Sequence, residues 1–195
     1  MSKISLILFS LLLFAGLASA QIPTSGNVFV GYSYENVDSE SLNFLNQNRA
    51  SLNGWEATVE GKVFPWIGIV GDFSGHYGSQ PEVFELAGAN TPVTVDAHEF
   101  TAMFGPRVSA SIGKFRPFAE AMFGAGHITN SPNASSSSVL GQTSDTSFAT
   151  ALGGGLDYKI IRPVAWRFQG DYVQTHFFGT TENNVRVSTG IVLKF

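Results

Sequence analysis

Val164-Ala165-Trp166-Arg167-Phe168-Gln169-Gly170-Asp171-Tyr172 alternates bulky apolar side chains with small, polar or charged ones. A period of two puts Val164, Trp166, Phe168 and Tyr172 on one face of an extended strand and Arg167, Gln169 and Asp171 on the other. The same alternation returns seven more times. Residues 27–36 set Val28, Val30, Tyr32 and Tyr34 against Gly31, Ser33 and Glu35. Residues 53–63 set Trp55, Ala57, Val59 and Val63 against Glu56, Thr58, Glu60 and Lys62. In residues 67–77, Ile67, Ile69, Phe73 and Tyr77 oppose Gly68, Asp72, Ser74 and His76. Residues 98–110 oppose Phe100, Ala102, Phe104 and Val108 to Glu99, Thr101, Arg107 and Ser109. In residues 116–128, Ala119, Ala121, Phe123 and Ala125 face away from Glu120, Gly124 and Gly126. Residues 147–158 carry Phe148, Leu152, Leu156 and Tyr158 opposite small residues and Asp157. Residues 185–195 carry Val185, Val187, Ile191, Leu193 and Phe195 opposite Arg186, Ser188 and Lys194.

Charged residues inside these segments fall on the non-apolar face throughout. A soluble barrel hides its apolar face and turns its charges to water. Here the apolar face bears aromatics near the segment ends (Tyr34, Trp55, Tyr77, Tyr158, Trp166), as in the girdles at the two interfaces of a membrane. The charged face is rich in glycine and serine, which suits a narrow interior. The reading is therefore lipid outside and a polar lumen inside, in an all-β, eight-stranded antiparallel up-and-down transmembrane barrel.

The connections support it. Those at 64–66, 111–115 and 159–162 are short; those at 37–52, 78–97, 129–146 and 175–184 are long and polar. Tight periplasmic turns alternating with long extracellular loops are the habit of outer-membrane barrels, and an even strand number leaves both termini in the periplasm. Ser135 to Ser138 mark the third long loop as the one expected to be disordered. Phe84, Leu86 and Val93 in the second allow the neighbouring strands to continue above the membrane as a hairpin, an adhesive edge.

Composition agrees. The chain has 21 glycines, 17 phenylalanines and only 13% charged residues, against about 25% in soluble domains. Lys3, the apolar run of residues 4–18 and Ala18-Ser19-Ala20 form a signal peptide with an A-x-A cleavage site, so residues 1–20 are read as exported leader and 21–195 as the barrel domain. Losing Lys3 moves the net charge from −4 to −5, which gives no reason to expect nucleic acid. The absence of cysteine excludes disulfides and an N-terminal lipid anchor on cysteine.

Four stretches carry a family likeness: Gly68-Ile69-Val70-Gly71-Asp72-Phe73, Arg116-Pro117-Phe118-Ala119-Glu120, Gly153-Gly154-Gly155-Leu156-Asp157-Tyr158, and Arg186-Val187-Ser188-Thr189-Gly190-Ile191-Val192-Leu193-Lys194-Phe195. With them the chain resembles the OmpA/OmpX-type small outer-membrane barrels. The resemblance implies that the last strand, ending at Phe195, is read by the barrel assembly machinery. It also implies lipid and lipopolysaccharide as surroundings, and a monomer is the expected state. The peptidoglycan-binding domain of larger relatives is not expected, since the sequence stops at the last strand.

Candidate chemistry is sparse. Arg107 with Glu120, and Arg167, Asp171, Asp157, Arg186 and Lys194, are placed to form a salt-bridged plug, because unpaired charge in so narrow a lumen is unfavourable. His98-Glu99 begins a zinc-protease motif, but Ala102 fails it and the segment is a strand. The histidines are expected at strand ends or in loops, and no metal or cofactor is expected. His127-Ile128-Thr129-Asn130 is similar to the His-x-Ser segment of lipid A deacylase barrels, with threonine for serine and no glutamate nearby to orient the histidine. Gly153-Gly154-Gly155 lacks the Lys-Ser/Thr of a phosphate loop and is taken as packing space. No catalytic residue is assigned. The expected role is envelope integrity or surface interaction through the extracellular loops, with a lipid A-modifying enzyme at His127 or a small-solute channel as alternatives.

Overall fold

The computed structural model describes residues 25–38, 49–86, 89–132 and 143–195. The signal peptide and the Ser135–Ser138 loop expected from the sequence lie outside the described residues. Eight strands follow in order: β1 (Gly26–Asp38), β2 (Arg49–Lys62), β3 (Ile67–Leu86), β4 (Ala89–Ser109), β5 (Phe115–Pro132), β6 (Thr143–Lys159), β7 (Val164–Thr175) and β8 (Glu182–Lys194). Each pairs antiparallel with the next, and β8 returns to β1, from Asn27↔Lys194 to Asn36↔Val185, to close the barrel. Closure leaves no strand edge open at the depth of the hydrocarbon, where an unpaired N–H or C=O would find no water.

The faces fall as the alternation predicts. Val30 is 58% exposed, Phe104 52%, Leu152 67% and Phe168 61%, while Glu56, Glu60, Asp72, Arg107, Arg167 and Arg186 are fully buried. Bulky apolar groups outside and charges within is the inverse of a water-soluble protein, and only a lipid solvent makes it favourable. Trp66 and Tyr77 bound the apolar face along β3. The chain between them rises roughly 36 Å, and a tilt of about 40° reduces this to roughly 28 Å, close to the ~25 Å apolar band of such barrels. Gly75 sits on that outer face, cross-strand from Trp55 and Phe100. A Cβ there would lie 2.9 Å from an atom of each ring, so the two aromatics close over the bare backbone.

The two ends differ. At one, β2–β3, β4–β5 and β6–β7 are joined by short turns. At the other the strands run well past the aromatic girdle. β3 and β4 pair through Leu86↔Ala89, so most of what the sequence presents as the second long loop is a continuous hairpin. β2 leaves β3 after Asn53↔Tyr77, and β5 leaves β4 after Val95↔Pro132. Above those points neither neighbour is paired with the hairpin among the described residues, although Gly78 still lies against Ser51 and Leu52 of β2. Alternation marks a strand only where one face meets lipid, which is why the sequence segments end near the girdle.

Candidate functional site

Buried ionisable groups converge in the lumen. At the short-turn end, β4 places Arg107 directly across from Glu120 on β5. Its Nε donates to Glu120 Oε2 at 2.7 Å, its Nη2 stands 2.6 Å from the same oxygen in ion-pair contact, and its Nη1 lies 3.4 Å from Glu60 Oε2. Glu60 also accepts from Arg116 at 3.0 Å and Lys62 at 2.9 Å. The missing side chain of Gly68 makes room, since a Cβ would fall 2.6 Å from Glu60 Oε1. Arg167 donates from Nε to Asp157 at 2.7 Å, and Lys194 Nζ stands 3.7 Å from the same carboxylate. Phe118 lies between the two guanidiniums, 4.4 Å from Arg107 Cζ and 4.6 Å from Arg167 Cζ. Phe29 adds a second ring 5.1 Å from Arg167.

Midway up the barrel the sign reverses. Arg186 alone serves Asp72 and Asp171, each at 3.0 Å, with Glu56 at 3.6 Å. Gln169 bridges from its amide nitrogen to Glu56 at 2.5 Å and Asp171 at 3.1 Å. Gly153 gives Asp171 its space, for a Cβ there would overlap Oδ1 at 1.9 Å. Higher still, His76 Nδ1 is 3.0 Å from Glu35 and its Nε2 is 2.8 Å from Ser33 Oγ. Glu99, wholly buried, makes no hydrogen bond through either carboxylate oxygen. Val37, Leu52 and Ala97 form an apolar layer at the long end.

The side chains that the sequence marks for a plug therefore do come together, in the cross-strand pairs Arg107–Glu120, Asp157–Arg167 and Asp171–Arg186. Two expectations need correction. His76 is not at a strand end in contact with water but fully buried between Glu35 and Ser33, because its inward parity outweighs its position. The lumen is also less polar than its glycine and serine suggest: Phe29, Val70, Met103, Phe118, Met122 and Phe177 point inward. Parity was the signal that would have found the first five, as each shares the face of a neighbouring charged or small residue; Phe177 lies in a 3-10 turn between β7 and β8, where parity gives no signal.

The remaining candidates separate by face. His98 packs edge-on against Tyr77, with ring centroids 5.3 Å apart, while Glu99 points into the barrel, so the two cannot act on one ligand. Among the described residues no three His, Asp or Glu are placed to hold a metal ion. His127 and Thr129 do meet on the outer face, with Thr129 Oγ1 at 3.3 Å from Nε2 and Thr146 Oγ1 at 2.7 Å from Nδ1. The imidazole thus lies between two hydroxyls. Asp145, the nearby acid, instead accepts from the backbone N–H groups of Thr146 and Phe178. Hydroxyls on both nitrogens hold the ring without supplying the negative charge that would stabilise an imidazolium. The three glycines 153–155 are packing space, as expected, with Gly155 crowded by Gln169 and Phe118.

Residues 6–195 match the family described as outer membrane protein beta-barrel domain. The chain belongs to that family. Among solved structures it is similar to Ail, the attachment invasion locus protein of Yersinia pestis, in complex with the heparin analogue sucrose octasulfate. That match has a TM-score of 0.59 at 14% identity, covering 88% of this chain and 98% of Ail. It is also similar to Neisserial surface protein A, with a TM-score of 0.62 at 11% identity, covering 87% and 97% of the two chains. At such identities the likeness is one of fold. No curated protein matches the sequence. The outer-membrane barrel family thus accounts for the closed eight-strand sheet, its lipid-facing exterior and its place in a Gram-negative envelope.

Proposed function

We propose that this outer-membrane barrel is a non-enzymatic surface protein that works through the β3–β4 hairpin, with its short turns in the periplasm. The observation that carries the reading is the length of that hairpin beyond its neighbours. Past Tyr77 and Val95 neither edge is paired with β2 or β5 among the described residues beyond Val95↔Pro132, which leaves backbone donors and acceptors for an incoming strand. Pro81, Glu82, Glu85 and Pro92 within it are residue types that restrain indiscriminate edge pairing. In sequence, the segments at this end carry Asp38, Glu40, Glu82, Glu85, Asp96, Asp145 and Glu182 against Arg49, which favours a basic partner over a sulfated polyanion of the kind bound to Ail.

Replacing residues 81–94 by Asn-Gly joins Gln80 to Val95, an existing cross-strand pair, through a two-residue turn. Bacteria displaying the whole chain are expected to adhere to cultured epithelial cells above a strain lacking it, and the shortened variant to lose that gain. Adhesion that survives the shortening, or is absent from the whole chain, overturns the reading. Orientation has its own test, because the chain has no cysteine. Lys114→Cys should react with an impermeant maleimide only after the outer membrane is breached.

A further inference from the structure

The cations of this acidic chain are segregated. Apart from Lys3, Arg49 and the three arginines deep in the lumen, all of its basic side chains lie at the short-turn end: Lys62, Lys114, Arg116, Lys159, Arg162 and Lys194. The acids at that level, Glu60, Glu120 and Asp157, are buried and already engaged by Arg107, Arg116, Arg167, Lys62 and Lys194. Lys114, Lys159 and Arg162 form no ion pair among the described residues, and no Asp or Glu side chain lines the cleft beside them.

Backbone hydrogen bonds draw these three together. The two-residue turn Gly113-Lys114, closed by Ile112–Phe115 bonds of 2.8 and 3.0 Å and permitted by φ 63° at Gly113, puts Lys114 at its tip. Lys159 N–H donates to Lys114 O at 2.8 Å, and Lys194 N–H donates to Pro163 O at 2.9 Å, joining β6, the β6–β7 turn and the end of β8. Between them is a cleft of about 520 Å³ lined by all three free cations and by Arg116 and Lys194. Its other wall is Phe115, Ile161, Val164 and Phe195, of which Phe115, Ile161 and Phe195 are 49%, 63% and 64% exposed on the lipid face.

From this cleft we infer a binding site for an anionic phospholipid, its phosphodiester held by Lys114, Lys159 and Arg162 and its acyl chains laid along the Phe115–Phe195 wall. A site half basic and half apolar, at the level where hydrocarbon gives way to headgroups, matches the two halves of one lipid. A free phosphate would use only the basic half, and an acidic soluble peptide would leave the apolar wall in lipid unused. With the orientation proposed above, the leaflet concerned is the inner one, but binding itself does not depend on that orientation.

Native mass spectrometry of the full chain in detergent, with phosphatidylglycerol or phosphatidylcholine added, tests the site. Phosphatidylglycerol should be retained in preference. Each charge removed among Lys114→Gln, Lys159→Gln and Arg162→Gln should weaken retention about fivefold, until the triple variant no longer distinguishes the lipids. The variants lie in turns and at a strand end, and an unchanged heat-modifiable gel shift verifies that each is folded. Excess inorganic phosphate should leave the lipid in place. Equal retention of the two lipids by the wild type, an unaltered preference in the folded triple variant, or displacement by phosphate alone would each overturn the assignment.

Discussion

Arg186 and Glu99 show how differently two buried charges can be placed. Arg186 neutralises Asp72 and Asp171 at 3.0 Å and approaches Glu56 at 3.6 Å. Deleting it strands several carboxylates away from water, the situation in which a broken buried pair costs about 3–5 kcal/mol. Arg186→Leu should therefore lower unfolding stability by at least that order, read from urea titration of the barrel in lipid vesicles. Glu99 is the reverse case. Neither oxygen is hydrogen-bonded, and the carboxylates of Glu35 and Glu182 are close enough to act on it electrostatically. Burial disfavours a charge at this position, and an amide stays neutral without taking up a proton, so Glu99→Gln should stabilise the barrel by about 1 kcal/mol. A loss of stability there would show that the carboxyl group itself is held by a partner. The sequence revealed which side chains enter the lumen, because parity does that. It did not reveal which would be satisfied, because partners such as Arg186 and Asp72 are 114 residues apart and meet only across the closed barrel.

Strands were legible wherever lipid bounds one face. In β7 the alternation predicts a strand over residues 163–174, and the structure places it one residue on, at Val164–Thr175. β3 and β4 went further than their apolar pattern, since above the girdle both faces of a strand meet water and no alternation is selected. That distinction yields a prediction. The part of the hairpin beyond Gln80↔Val95 shares almost no pairing with β2 or β5 among the described residues, and its register lies beyond that of the lumen network. Replacing residues 81–94 by Asn-Gly should thus leave barrel stability within about 1 kcal/mol of wild type, even as adhesion is lost. A collapse of the folded, heat-modifiable band would show the hairpin to be part of the folding unit and would confound any adhesion result from the same variant.

Taken whole, the molecule is a closed sheet whose interior is filled and whose charge is polarised along its axis. Closure was legible in the sequence from the even count of strands and the alternation of turn lengths; the filling was only half legible, since Phe29, Phe118 and Met122 join the charges inside. An ion crossing the barrel would first meet the acidic level of Glu35 and Glu99, then the Arg186 cluster, and finally the opposite-signed level of Arg107 and Arg167 with Phe118 between them. No single ion is attracted by both halves, and the guanidiniums of Arg186, Arg107 and Arg167 in its way are held by hydrogen bonds rather than free to swing. In a planar bilayer the wild type is expected to give no stable single-channel steps, consistent with an eight-stranded interior just wide enough for its own side chains. Large, reproducible steps would mean that the network opens as a unit, and would return the small-solute channel to first place. A variant with Arg186, Glu56 and Gln169 all replaced by alanine removes the middle level alone. If that variant remains closed, the Arg107–Phe118–Arg167 stack is a sufficient barrier by itself; if it conducts, the Arg186 cluster is what seals the lumen.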